Sequence, residues 1–100
     1  MAILTKVTRG HRTVTATSVE PENGVSFTLQ EFYNLLECQM IQMLTLRNGT
    51  VMVFDEEGKL KEHPVVNEPA TATALKLSDI AREDYVVGHA MICSKVEAGG

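Results

Sequence analysis

The segment GKLKEHPVVNEPAT brings together two ammonium groups, a side-chain amide and a hydroxyl: Lys59, Lys61, Asn67 and Thr71. Asn67 stands where a helix N-cap is expected, with Pro69 in the first turn, where a missing N–H costs little. The first N–H groups of a helix have no partner inside it and carry partial positive charge. Together with the two lysines they form a candidate anion site for a phosphate or carboxylate, with Lys59, Lys61, Asn67 and Thr71 as the ligand-binding set. Glu68 places a negative charge in the same turn, and Asn67 also reads as a plain cap.

Other residues with chemical potential are less organised. Asp55, Glu56, Glu57 and Gly58 resemble a cation loop in composition, but an EF-hand needs oxygen ligands alternating along a longer loop and a closing bidentate glutamate. A solvated turn is the better reading. His11, His63 and His89 are scattered, and neither a C-x-x-C pair nor H-E-x-x-H is present for zinc. His63 precedes Pro64 in a loop, and His89 falls on a strand face, half buried. Cys38 and Cys93 sit in apolar surroundings without a neighbouring base, so they read as core thiols rather than nucleophiles. No nucleophile elbow or phosphate loop appears. No catalytic residue, metal or cofactor is expected, and the chain is not read as an enzyme.

These groups need elements to carry them. Ala2 to Val7 and Arg12 to Val19 read as strands joined through a turn at Gly10. In the second, Thr13, Thr15 and Thr17 alternate with Val14 and Ala16, so one face is polar. Thr28 and Glu31 form a capping box in TLQE, and Leu29, Phe32, Tyr33 and Leu36 make the apolar stripe of a short helix. Met40 to Leu46 and Thr50 to Phe54 flank Asn48-Gly49, a strong hairpin signal. Val51 and Val53 point one way, Met52 and Phe54 the other, which places that strand inside a sheet covered on both sides. A second helix follows Asn67, with Ala70, Ala74 and Leu77 as its modest stripe. Tyr85 to Cys93 closes the sheet.

The expected fold is α+β: a mixed sheet of about five strands with two helices, in the order ββαββαβ, as one domain over residues 1–95 with a flexible tail at 96–100. The first helix covers one face. The second helix or a partner subunit covers the other, and a homo-oligomer is expected.

The bulk numbers agree with a small globular domain. The chain has 100 residues, a formal charge of −4, 44% hydrophobic and 22% charged residues. That charge disfavours a phosphate-backbone surface, so nucleic acid is not an expected partner. No apolar run reaches membrane-spanning length and the N-terminus does not read as a signal peptide. Two cysteines are too few for a disulfide framework. A cytoplasmic protein with reduced thiols is expected.

From about Phe27 to Cys93 the sequence resembles domain-of-unknown-function family 3846, small proteins common in phages and mobile elements. FTLQEFYNLL resembles the family's capped helix, and IQMLTLRNGTVMVFDEEGKLK its central hairpin and acidic turn. Pro64 followed by NEPAT, and DYVVGHAMIC with Gly88, are similar to its later motifs. There are departures: two valines separate Pro64 from Asn67 where one residue is expected, the helix ends LLECQ where the family often has glycines, and AREDY is longer than usual. The resemblance implies a phage or mobile-element protein in a bacterial cytoplasm, without an activity attached.

Three functions fit these readings. The first is a non-enzymatic binding protein, acting against host defence by sequestering a nucleotide-type immune signal, with a small anionic or nucleotide ligand. The second is a protein-interaction module that inhibits or regulates a host protein. The third is a ubiquitin-like modifier, from the element order and the Gly99-Gly100 end.

Overall fold

Turn and cap chemistry decides where the elements begin. Thr28 Oγ1 accepts the Glu31 N–H while the Glu31 carboxylate accepts the Thr28 N–H, the reciprocal box expected from TLQE. Asn67 caps the second helix through the Ala70 N–H, and Gly49 takes a positive φ in the Asn48-Gly49 turn. The structure, a computed structural model, describes residues 2–8, 13–61 and 64–99. The expected turn at Gly10, together with Arg12, His11, His63 and Gly100, lies outside these residues.

The described elements are β1 (Ala2–Thr8), β2 (Thr13–Val19), α1 (Leu29–Leu36), β3 (Ile41–Thr45), β4 (Thr50–Asp55), α2 (Glu68–Leu77) and β5 (Ala90–Ser94), with a 3-10 turn at Gly58–Leu60. This is the α+β order ββαββαβ. The five strands form one sheet in the order β2-β1-β5-β4-β3.

Every neighbouring pair is antiparallel. The expectation of a mixed sheet is therefore corrected. A strand–helix–strand unit gives parallel strands when the helix alone returns the chain to its starting end. Here the chain leaves α2 and runs on through residues 78–89 before β5 begins. That extra traverse brings it into β5 from the opposite end, so β5 runs antiparallel to β4 and β1.

β5 is also shorter than Tyr85 to Cys93. Gly88 adopts φ 82, and Val87 bridges to Val66 instead of joining the main sheet. The β-prone run Tyr85-Val86-Val87 has thus been captured by the loop before α2.

The two helices lie on opposite faces. Phe27, Phe32 and Leu36 pack with Leu4, Val51, Val53, Met91 and Cys93 on one side. Ala70 and Ala74 pack with Leu46, Met52, Val86 and Ala90 on the other, with Phe54 and Ile92 at its margin. β4 is an inner strand, and Val51, Met52 and Val53 are all buried. Opposite faces of one pleated strand therefore feed two separate apolar clusters, as its unbroken apolar run requires. The short alanine-rich α2 covers Met52 completely and leaves Phe54 half buried.

The segment expected to be a tail folds back over its described part. Phe27 N–H donates to Glu97 O at 2.8 Å, Glu97 is buried, and Gly99 N–H donates to Val96 O.

Candidate functional site

Asn67 is fully buried. Its Oδ1 accepts the Ala70 N–H, and its Nδ2 donates to Gly88 O at 3.0 Å and Thr5 O at 3.3 Å. Its two amide protons thus tie α2 to β1 and to the entry of β5. Thr71 works beside it: Val86 N–H donates to Thr71 Oγ1 at 2.9 Å. These two residues hold residues 86–88, and so determine where the next residue, His89, stands.

The lysines go to different places. Lys59 pairs with Asp84, and its ammonium sits 4.5 Å from the centre of the Tyr85 ring. Lys61 Nζ reaches Asp55 Oδ2 at 2.9 Å. Asp55 is buried and its Oδ1 accepts the Glu57 N–H. The acidic turn is therefore stitched by its own first carboxylate. The Lys61 pKa is raised, chiefly by this hydrogen bond to Asp55. The Asp84 carboxyl is held below its usual range, first by Lys59 and then by the Tyr85 N–H. Lys59, Lys61, Asn67 and Thr71 are thus not gathered at one opening.

The groups that do converge lie at the end of α1. Glu37 is the C-cap of α1, with φ 54 and ψ 51, a left-handed conformation that glycine adopts freely and that costs other residues about 1 kcal/mol. It directs the carboxylate back over the sheet. Glu37 Oε2 lies 2.9 Å from His89 Nε2 and 3.4 Å from Lys6 Nζ. The Val7 N–H donates to His89 Nδ1 at 3.2 Å. Nδ1 therefore acts as acceptor, and the ring proton sits on Nε2 and points at Glu37. The Glu37 pKa is lowered, first by the hydrogen bond from His89, with Lys6 adding to it.

Two cavities meet at Glu37, Asp55 and Lys61. One, of about 480 Å³, runs toward Val65, Gly88 and His89. The other, of about 510 Å³, runs toward Tyr33, Cys38 and Gln39. Together they make an open groove with His89 on one wall and Lys61 in the middle. Burial raises the Cys38 pKa, with Asp55 adding to the effect, so its thiol stays protonated. Burial pushes Cys93 up to about 11. Among the described residues no group of three or more His, Cys, Asp or Glu is arranged to hold a metal ion.

No motif in the sequence marks Glu37, Lys6 or Asp55 as ligand residues, and His89, expected on a strand face, precedes β5. The one available signal was LLECQ itself: a glutamate where a helix exit favours glycine.

An all-antiparallel α+β sheet with one helix on each face and a polar groove at its rim defines the class. The chain belongs to the family described as Domain of unknown function (DUF3846), whose model matches residues 6–100. The match extends beyond Phe27 to Cys93 at both ends, taking in Lys6 and β2. Comparison with curated proteins and with solved structures found no match. Among the described residues no helix is long and apolar enough to cross a membrane.

Proposed function

We propose that the protein is a non-enzymatic binding protein whose groove at the end of α1 receives a small anionic ligand of nucleotide type. The observation that carries this reading is the position of Glu37 Oε2, shared by Lys6 Nζ and His89 Nε2. An oxygen of a phosphate or carboxylate fits the same two donors. Glu37 is then the internal stand-in for the ligand: its side chain is 61% exposed and it ends its helix, so it can swing away without opening the core. A phosphate group carries more charge than the carboxylate it replaces and makes stronger charge-assisted hydrogen bonds.

Lys61 would be the second cation, at the junction of the two cavities. Lys59 would contact a ligand only from the neighbouring cleft. Asn67 and Thr71 would contribute by positioning His89. Protonated thiols support binding rather than covalent chemistry.

Within this reading the protein comes from a phage or mobile element, acts in the bacterial cytoplasm and sequesters a nucleotide-type immune signal as a homo-oligomer. A second subunit would close the open side of the groove, since tight sequestration needs enclosure. Native mass spectrometry of the purified protein tests the subunit count and any retained molecule together. Titration calorimetry with cyclic and ADP-ribose-type nucleotides tests the ligand class. Heat is expected with at least one of them, and tighter binding by about tenfold, or 1.4 kcal/mol, in Glu37→Gln. A silent panel with both proteins would rule the reading out.

A second reading, a protein-interaction module, is favoured by exposed apolar side chains at and beside the β3 edge, Met40 and Met43. Methionine adapts readily to partner surfaces.

A further inference from the structure

β3 is an edge strand, and its outer side can be worked out group by group. Leu46 N–H donates inward to Thr50 O, and Met40 O accepts inward from Glu56 N–H. In an antiparallel ladder the N–H and C=O of one residue point to the same neighbour and alternate along the strand. Gln42 and Leu44 therefore bond toward β4, opposite Phe54 and Met52. Ile41, Met43 and Thr45 point their N–H and C=O groups outward. Farther along the same edge, the Arg47 N–H is already taken by Leu77 O at 2.7 Å. The open template is thus the short run Ile41–Thr45.

A groove lies beside it on the α2 face. Two cavities, of about 220 Å³ and 530 Å³, share Leu44 and Ile80 in their walls. The smaller reaches Phe54, Glu56 and Tyr85; the larger reaches Leu46 and Leu77. The floor is apolar and the ends are charged. Asp84 is matched by Lys59 and Asp79 by Arg47. Among the described residues the exposed carboxylate of Glu56 has no ion-pair partner. It sits opposite Met40, on the same face as Gln42 and Leu44.

We infer that β3 and this groove receive an extended peptide segment of a partner protein as a sixth, antiparallel strand. The segment carries apolar side chains at the two alternate positions facing Gln42 and Leu44, and a lysine or arginine two residues further on, opposite Met40 and reaching across it toward Glu56. Main-chain bonds to Ile41, Met43 and Thr45 hold it, and alternate side chains entering the two cavities select it. The other edge, β2, has exposed strand residues from Val14 to Ser18. The site rests on the interaction-module reading; its smaller cavity shares Asp55 and Val87 with the walls of the Glu37 groove but not Glu37, Lys61 or His89.

The test uses two fluorescent peptides: acetyl-Thr-Leu-Thr-Val-Thr-Lys-Thr-amide and the same peptide with Glu in place of Lys. The lysine peptide is expected to bind about tenfold tighter, and Glu56→Lys should reverse the preference. Amide exchange at Ile41, Met43 and Thr45 should slow on binding. Met43→Pro, which removes only an outward N–H, should abolish binding while the fold is kept, since proline is tolerated on an edge strand. Binding unaffected by Glu56→Lys and Met43→Pro, or protection along β2 instead, overturns the assignment. So does concentration-dependent protection of the β3 edge without peptide, which would make a second copy the occupant. If neither peptide binds, the edge site is wrong; the interaction-module reading falls with it only if a pull-down from host lysate is also empty.

Discussion

At the residue scale, Asn67 and Glu37 use the same kind of chemistry in opposite ways. Asn67 is buried with its cap and both amide protons used. Asn67→Ala removes the cap and leaves Gly88 O and Thr5 O without these donors, so a loss of about 2–4 kcal/mol is expected from caps and buried hydrogen bonds together. Urea unfolding monitored by circular dichroism checks it. Glu37 is exposed, and its left-handed backbone was legible only as an unexpected residue type at a helix exit. Its ligand geometry was not legible, because Lys6 and His89 reach it from β1 and from the entry to β5. Glu97 supplies a pH signature: it is buried and its carboxylate accepts the Ser94 N–H at 3.0 Å. That bond is the first cause holding its pKa below 4.5 in the fold. As pH falls, the unfolded chain takes up this proton before the native one. The stability it contributes is whole above the ordinary glutamate range and is lost as pH falls through the depressed native value. Glu97→Gln should flatten the acid limb of a stability-against-pH curve; an unchanged limb would remove Glu97 from the account.

At the scale of elements, the sequence specifies structure most directly where the chemistry is local. The Thr28–Glu31 box, the Asn67 cap and the Asn48-Gly49 turn all act within a few residues. Thr28→Ala should therefore cost about 1 kcal/mol, measurable by thermal unfolding. β5 shows the limit. Tyr85, Val86 and Val87 have strand-like side chains, yet Asn67, Thr71 and Val66 claim their backbone through contacts distant in sequence. The antiparallel direction of β5 was hidden for a related reason: it depends on the path of residues 78–89, and helix periodicity carries no information about that path. The acidic turn runs on into a 3-10 turn at Gly58–Leu60, which packs against a residue distant in sequence. A Cβ on Gly58 would lie 3.0 Å from Val87 O and 3.3 Å from Val87 Cβ. Gly58→Ala should destabilise by about 1–3 kcal/mol, as overpacking does, and disturb the Lys61–Asp55 junction beside it. Chemical denaturation of the variant checks the first effect.

At the scale of the molecule, the apolar run of β4 predicted a sheet covered on both sides, and two helices on opposite faces provide that cover. What remains at the rim is a groove where charges from β1, α1, β4 and the β5 entry meet. A fold of this kind presents Lys6 from β1 and His89 from the entry to β5, with Lys61 at the end of the 3-10 turn, while Glu37 sits on a helix end that can give way. Small-ligand binding and strand addition at β3 belong to different faces and can be measured separately. The most direct measurement of the central claim is a titration of the isotope-labelled protein with ADP-ribose, followed by amide and His89 ring NMR. Shifts concentrated at Val7, Glu37, Lys61 and His89 are the predicted result. No shifts there at millimolar ligand, or shifts confined to β3, would contradict the claim that this groove receives a nucleotide-type anion.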